Sequence, residues 1–211
     1  MKVPVATAFY SRVGHTIVIP AGIMQLPIFH PELPEYVSFG GLGSIIGHEL
    51  SHGIDAGASE TDSNGTTTRW WDNATTTHYE TKARCFVRQY ANYTYLDEKG
   101  KLHHVNGEAT QEENIADAGG ISASYTAWKK RALARPNQKL PGLEEFTQDQ
   151  IFFLTYASTW CAVVKPEEVA LQGLFDVHSP RDKRILGTLA NSKDFREAFG
   201  CKVREPTCEL W

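Results

Sequence analysis

The stretch GSIIGHELSHGIDA, residues 43–56, places His48, Glu49 and His52 inside an apolar segment. Apolar residues recur there at the three- and four-residue spacing of one helix face, which predicts a helix over residues 38–57. The apolar residues that we expect to bury this helix are Leu42, Ile45, Ile46, Leu50 and Ile54. Because buried polar groups need partners, the two histidines and the glutamate are candidates for a functional site.

Residues 48–52 read HELSH, which is the pattern H-E-x-x-H. Positions four apart lie on the same face of a helix, so His48 and His52 can hold one metal ion together. Neutral imidazole is a suitable ligand for Zn²⁺, and we expect one zinc ion per chain. Glu49 follows the first histidine and is placed to accept a proton from a water molecule beside the metal. The alternative interpretation is a helix that carries two unrelated surface histidines.

A zinc enzyme needs a third protein ligand, and two sequence patterns could supply it. In H-E-x-x-H-x-x-G-x-x-H the third ligand is a histidine, but this chain has Asp55 at the glycine and Ala58 at the last histidine. In the second pattern the ligand is a glutamate on a separate helix, and the segment EENIADAGG offers Glu112 and Glu113. Each of these acids, taken alone, also fits a solvated helix face.

Two further acids could orient the histidines. If Glu113 binds the metal, Asp117 lies one helical turn later and faces the same site. Its carboxylate can then accept the free N–H of one ligating histidine, and Asp55, three residues after His52, can do the same for the other. Two glycines directly follow Asp117 and indicate that another helix packs closely against this one.

The bulk composition limits the function classes. The 211 residues favour one domain, residues 1–211, and a net charge of −4 gives no indication of nucleic-acid binding. No run approaches the ~18 apolar residues of a membrane span, and the N-terminal residues do not form a signal peptide.

Three glycosylation sequons, at Asn64, Asn73 and Asn92, and four cysteines favour the secretory pathway. A secreted chain without an export signal predicts a piece of a longer protein.

The remaining patterns predict a mostly helical chain with a small β element at its front. Alternating and β-branched residues on either side of Gly14 predict a β-hairpin within residues 5–28. Helical periodicity predicts three further helices, over residues 75–97, 110–134 and 150–164. A capping box at Thr147 is predicted to open the last of these, and Ser192 and Gly200 are candidate caps of a short terminal helix.

Seven motifs occur in order from about residue 5 to the end of the chain: TAFYS, IVIPAGI, GGLGSIIGHELSHGID, ENIADAGG, FFLTYASTWC, VHSPRDKRILGTLANS and CELW. Together they resemble the catalytic half of the neprilysin and endothelin-converting-enzyme family of zinc endopeptidases. The resemblance implies a thermolysin-like zincin (gluzincin) catalytic domain, mainly α with a small β element. It also implies hydrolysis of small peptides before a bulky hydrophobic residue, by part of a longer extracellular or cell-surface protein.

The resemblance implies a role for each matched polar position. The implied zinc ligands are His48, His52 and Glu113. Glu49 would be the catalytic base, Asp117 an acid behind the ligands that is sometimes described as a proton donor, and His178 the group that stabilises the oxyanion. From its spacing alone, the segment around His178 also fits an ordinary surface loop.

Further matched positions would contact the substrate. Arg184 would bind a main-chain carbonyl, and Ala8 would contact the substrate backbone. The pocket for the residue after the cut would be lined by Ile23, Ile28, Ile45, Thr159 and Trp160. Thr7 departs from the family, which usually has an asparagine there to anchor the substrate backbone. The family's N-terminal lid region lies outside this sequence, and it would be the partner of this domain.

Two other functions fit parts of the pattern. One is a zinc enzyme of the same class outside this family. The other is a catalytically impaired or peptide-binding remnant, but Glu49 argues against it because a binding module needs no base.

The four cysteines allow three complete pairings, and spacing does not choose among them. The resemblance implies one disulfide, Cys85–Cys208. It also implies that Cys161 and Cys201 have their partners in the N-terminal region that this chain lacks.

Overall fold

The computed structural model describes residues 6–134, 138–203 and 207–210. Within these residues, the α-helices are α1 (Glu35–Ser38), α2 (Ser44–Ser51), α3 (Asn73–Ala91), α4 (Gln111–Ala134), α5 (Gln148–Thr159), α6 (Pro166–Phe175), α7 (Arg181–Asn191) and α8 (Lys193–Phe199). Two antiparallel hairpins pair β1 (Phe9–Ser11) with β2 (Thr16–Val18), and β3 (Thr94–Leu96) with β4 (Leu102–His104). The fold is therefore mainly helical with small β elements, as the sequence predicted.

The predicted helix over residues 38–57 forms, but it is not regular. A π-helical turn, Phe39–Gly43, separates α1 from α2, and a 3₁₀ turn, His52–Ile54, extends α2. The π-helical turn lies against neighbouring backbone, since a Cβ on Gly40 would lie 2.3 Å from the Phe152 carbonyl oxygen on α5. This contact fixes where α2 begins relative to α5.

The expectation that large apolar residues bury this helix was wrong at two positions. Leu50 and Ile54 are 57% and 49% exposed, and only Leu42 of the predicted apolar set is buried. The buried face of α2 and its 3₁₀ extension consists instead of small or functional residues: Ser44, Gly47, His48, Glu49, Ser51 and His52. At Gly47 no side chain would fit, because another helix approaches its backbone closely.

That helix is α4, and the two helices meet at a pair of glycines. A Cβ on Gly47 would lie 2.6 Å from the carbonyl oxygen of Gly120, and a Cβ on Gly120 would lie 2.5 Å from the amide nitrogen of His48. Both distances are shorter than any tolerable contact with a side chain, so the helix backbones touch directly. The contact brings His48 opposite the first turns of α4.

Helix α4 also joins two hydrophobic cores. Ile121 and Trp128 pack in the first core with Tyr36 of α1 and Phe152 of α5. Ile115 packs in the second, whose other buried residues include Phe86, Tyr90 and Cys208. Because α4 is packed on both sides, the positions of the polar side chains in its first turns are fixed relative to α5 and α3.

Several predicted boundaries differ from the structure. The helix predicted over 75–97 ends at Ala91, because Thr94–Leu96 pairs with a second hairpin strand. The helix predicted over 150–164 runs from Gln148 to Thr159, and α6 and α7 were not predicted. The capping box at Thr147 and the caps at Ser192 and Gly200 are present. Pro136, which follows α4, lies outside the described residues.

We expect Gly120→Ala to lower the free energy of unfolding by about 1–3 kcal/mol, which is the usual cost of overpacking. Helix propensity alone predicts the opposite sign, since alanine is better than glycine by about 1 kcal/mol in a helix. Thr126→Ala, on the exposed face of α4, is the matched control and should change stability by less than about 0.5 kcal/mol. Urea denaturation of both variants measures the difference. A Gly120→Ala protein as stable as the wild type would contradict the close helix contact.

Candidate metal centre

Three side chains converge where α2 meets α4. His48 and His52 project from α2 and its 3₁₀ extension, and Glu113 projects from the first turn of α4. One ligating atom from each lies within 4.8 Å of the others. His48 Nε2 lies 3.1 Å from His52 Nε2 and 3.1 Å from Glu113 Oε2. The structure therefore brings together the three residues that the sequence proposed as ligands.

The other nitrogen of each imidazole is held by a carboxylate. His48 Nδ1 lies 2.8 Å from Asp117 Oδ1, and His52 Nδ1 lies 2.9 Å from Asp55 Oδ2. An ionised carboxylate only accepts hydrogen bonds, so each Nδ1 carries the proton and donates it. In the neutral imidazoles both Nε2 atoms then present lone pairs to each other.

This arrangement fits a cation. Two Nε2 lone pairs at 3.1 Å repel each other unless a positive charge lies between them. Glu113 Oε2 is also buried and makes no well-directed hydrogen bond. Two neutral imidazoles and one carboxylate are the donor set of a catalytic zinc site. The residues present therefore fit Zn²⁺.

The electrostatics lead to the same conclusion. Burial lowers the pKa of His52, but hydrogen bonds to Asp55 and Glu113 outweigh it and raise the pKa to about 10. The pKa of His48 is likewise raised on balance, against burial, by Asp117 and Glu113. For Glu113, burial favours the neutral acid, but contacts with His178, His48 and His52 hold its pKa far below the usual range. The cluster attracts positive charge, whether protons or a metal ion.

Asp117 and Asp55, the two aspartates that orient the histidines, each form a salt bridge with an arginine. Arg184 Nε and Nη2 lie 2.7 and 2.6 Å from the two carboxylate oxygens of Asp117, and both groups are buried. Burial raises the pKa of Asp117, but Arg184 and His48 outweigh it and hold the pKa below the usual value. The guanidinium also stacks 3.7 Å from the centre of the Trp160 ring. Asp117 is therefore held as a carboxylate, aimed at His48.

The second arginine was not predicted from the sequence. Arg12, in the turn between β1 and β2, donates from one nitrogen to Asp55 at 3.1 Å and to Glu112 at 2.8 Å. Gly57 leaves room for it, because a Cβ there would lie 2.4 Å from the guanidinium carbon. The partners are 43 and 100 residues from Arg12, so no local pattern could have indicated the contact.

Glu49 faces a cleft of about 360 Å³ next to the ligands. Burial raises the pKa of its carboxyl group, although the neighbouring histidines oppose the shift. The cleft is also lined by the predicted substrate contacts: Ala8, Ile23, Ile28, Ile45, Thr159, Trp160 and Arg184. The Thr7 side chain lies at this cleft as well, where it donates to the Ala8 carbonyl at 3.2 Å.

His178 reaches the metal centre from the loop between α6 and α7. Its Nε2 lies 3.0 Å from Glu113 Oε2, and its Nδ1 lies 2.6 Å from Asp176 Oδ1. The contact with Glu113 is the main cause of a raised pKa at His178. The structure thus places the His178 side chain at the ligand cluster, with 38% of it exposed on the open side.

None of the cysteines or sequon asparagines is among the residues that line the cleft. Cys85 on α3 is joined to Cys208, in agreement with the pairing that the resemblance implied, and Cys161 and Cys201 are exposed thiols. The three sequon asparagines, Asn64, Asn73 and Asn92, are exposed. Among the helices of the described ranges, none combines the length and apolarity needed to cross a membrane.

A mostly helical fold with an H-E-x-x-H helix packed on a glutamate-bearing helix is that of a thermolysin-like zincin. The chain belongs to peptidase family M13, whose sequence profile matches residues 7–209. Membrane metallo-endopeptidase-like 1 of Homo sapiens is 42% identical over 98% of this chain. Endothelin-converting enzyme 1 of Mus musculus is 40% identical over 100% of it. The chain spans 27% of the length of each of these relatives.

Solved structures agree with the family assignment. The zinc metalloprotease Zmp1 of Mycobacterium tuberculosis, in complex with an inhibitor, superposes with a TM-score of 0.88 at 30% identity. The superposition covers 98% of this chain and 32% of Zmp1. The described fold is therefore that of one part of a larger M13 protein of known structure.

Removal of Glu113 and removal of the Glu49 carboxylate should have different effects on zinc. Loss of a hydrogen-bond partner behind a ligand typically weakens metal binding by about 10–100-fold. We expect Glu113→Ala to weaken zinc binding by more than this, because it removes a ligand. Glu49→Gln should keep zinc, because Glu49 faces the cleft and is not part of the ligand cluster. Glu108→Ala, an exposed acid just before α4, is the control. Chelator competition measures all three, and zinc loss in Glu49→Gln would contradict the ligand set.

Zinc uptake should release protons at pH 7.5. The pKa of His52 is raised to about 10 without a metal, so at pH 7.5 its imidazole carries a proton that zinc must displace, and the pKa of His48 is raised as well. We expect release of at least about one proton per zinc, and a zinc affinity that falls as pH falls. Imidazoles with the ordinary pKa of about 6.5 would release only about 0.2 proton in total. Titration calorimetry in buffers of different ionisation enthalpy measures the number, and release near the lower figure would contradict the electrostatics.

Proposed function

We propose that residues 1–211 form the catalytic domain of a zinc-dependent endopeptidase that hydrolyses small peptides before a bulky hydrophobic residue. The observation that carries this proposal is the pair of facing Nε2 atoms beside Glu113, with Glu49 next to them at the wall of a cleft. Membership of family M13 supports the same reaction class.

His48, His52 and Glu113 would hold one zinc ion. Zinc bound there would act as a Lewis acid that polarises the scissile carbonyl and acidifies a water molecule. Glu49 accepts the proton of the attacking water and then passes it to the leaving amine. The raised pKa of Glu49 suits this task, because a group that accepts a proton and then returns it works best when its pKa lies near the operating pH.

His178 and Arg184 would act on the substrate carbonyl groups. His178 donates to the oxyanion from Nε2, while Asp176 holds the Nδ1 proton and the ring orientation. Arg184 uses two nitrogens on Asp117 and lines the cleft, so Nη1 is the donor assigned to a substrate carbonyl. Asp117, held ionised by Arg184, orients His48 and is a poor proton donor.

The cleft lining supports the proposed substrate preference. Ile23, Ile28, Ile45 and the Trp160 ring present apolar surface next to the metal centre. A large apolar side chain gains most from such a pocket, at roughly 25 cal/mol per Å² of buried surface. Ala8 directly precedes β1 and would pair its backbone with the substrate, whereas Thr7 offers a shorter side chain than the family's asparagine.

We also propose an extracellular or cell-surface location, with glycans on Asn64, Asn73 and Asn92. Their exposure and the Cys85–Cys208 bridge support an oxidising compartment. The remaining length of the relatives supports the N-terminal region of a longer protein as the structural partner of this domain. The alternative function is a catalytically impaired fragment that binds peptides.

Cleavage of a short peptide with phenylalanine after the scissile bond tests the proposal. We expect zinc-dependent cleavage that stops with chelator, is slower when aspartate replaces the phenylalanine, and falls by about 10²–10⁴-fold in Glu49→Gln. Mass spectrometry of the products locates the cut. A zinc-loaded chain that binds the peptide without cutting it would instead support the peptide-binding alternative.

A further inference from the structure

We propose that Asn114 and Ser179 are positioning residues that hold His178 at the metal centre through one buried hydrogen bond. The role rests on the proposed function, because it concerns the group assigned to the oxyanion. Neither residue was singled out by its sequence pattern.

The bond joins two fully buried side chains. Ser179 Oγ donates to Asn114 Oδ1 at 2.8 Å, and both residues are 0% exposed. Asn114 Nδ2 in turn donates to Thr110 Oγ1 at 2.9 Å, which fixes the orientation of the amide. Asn114 is the residue after Glu113, and Ser179 is the residue after His178. The bond therefore fastens the immediate neighbours of two groups that meet at the metal centre.

His178 needs such an anchor because the helix before its loop has no fully buried side chain. Val169 of α6 is only half-buried against the second core, and Gln172 of α6 donates to the Ser179 carbonyl at 3.3 Å. Asp176 bonds His178 but belongs to the same loop, so it shapes the loop without attaching it to the body of the protein. The contact of His178 with Glu113 involves a carboxylate that is also a metal ligand in our assignment.

On the other side of the loop, α7 has a separate tie to the same helix. Arg184 on α7 bonds Asp117, and Asp117 lies one turn after Asn114 on α4. Helix α4 thus binds the segment 179–184 through two contacts, the neutral Ser179–Asn114 hydrogen bond and the charged Arg184–Asp117 pair. The neutral one lies directly beside His178, and its strength does not depend on metal or on pH.

The first experiment measures Ser179→Ala alone and with His178→Ala. A donor to the oxyanion contributes about 10²–10³ in rate, and misplacement by about 1 Å can cost up to about 10². We expect Ser179→Ala to lower kcat by roughly tenfold to a hundredfold, with KM and zinc content nearly unchanged. Ser59→Ala is the matched control, because Ser59 is 4% exposed and its Oγ donates to the Ala56 carbonyl at 2.6 Å.

The double variant separates positioning from general destabilisation. If Ser179 acts through His178, Ser179→Ala should have no further effect on kcat once His178 is alanine. An equal loss in both backgrounds, or no loss in the wild-type background, would overturn the proposal. Asn114→Ala removes the acceptor and should reproduce the Ser179→Ala phenotype without adding to it.

Hydrogen exchange of the metal-free protein gives a readout that needs no activity. We expect Ser179→Ala to speed exchange in the peptide over residues 172–180, while α5 exchanges as in the wild type. An unchanged exchange rate in that peptide would contradict the proposed role of the Ser179–Asn114 hydrogen bond, even if the chain had no peptidase activity. Absence of turnover in the zinc-loaded wild type would overturn the proposed function instead, so the two failures are distinguishable.

Discussion

The direct contact between the backbones of α2 and α4 is the constraint on which the metal centre depends. Gly47 and Gly120 leave no space for a side chain at the crossing. His48 lies next to this point on α2, and Asp117 and Glu113 lie one and two turns before it on α4. The close crossing brings one ligand atom from each of His48, His52 and Glu113 within 4.8 Å of the others. Leu50 and Ile54 are exposed, while small and functional residues occupy the buried face of α2 and its extension.

Around this contact the charges follow a repeated scheme. Each imidazole is held by an aspartate, and each aspartate by an arginine: His48 with Asp117 and Arg184, and His52 with Asp55 and Arg12. The positive charges of the arginines balance the negative charges of Asp117 and Asp55. The carboxylates of Glu113 and Glu49 then remain at the cluster, and their two negative charges suit a divalent cation. The scheme also ties three separate parts of the chain to the centre: the first hairpin through Arg12, α7 through Arg184, and the His178 loop.

Local sequence patterns predicted the parts of the centre that are close in sequence. His48 and His52 are one turn apart, as are Glu113 and Asp117, so helical periodicity alone placed each pair on a face. The supporting contacts were not predictable in this way, because Arg12 is 43 residues from Asp55 and Ser179 is 65 residues from Asn114. The boundary at Ala91 was missed for a related reason, since strand pairing of Thr94–Leu96 with residues 102–104 competes with helix.

X-ray absorption at the zinc edge of the zinc-loaded chain tests the central claim most directly. The two imidazoles and the Glu113 carboxylate predict a first shell of nitrogen and oxygen at about 2.0–2.2 Å, with the outer scattering of two imidazole rings. Sulfur scattering at about 2.3 Å would contradict it, because it would place the metal on the exposed thiols Cys161 and Cys201. A first shell without imidazole scattering would contradict it equally.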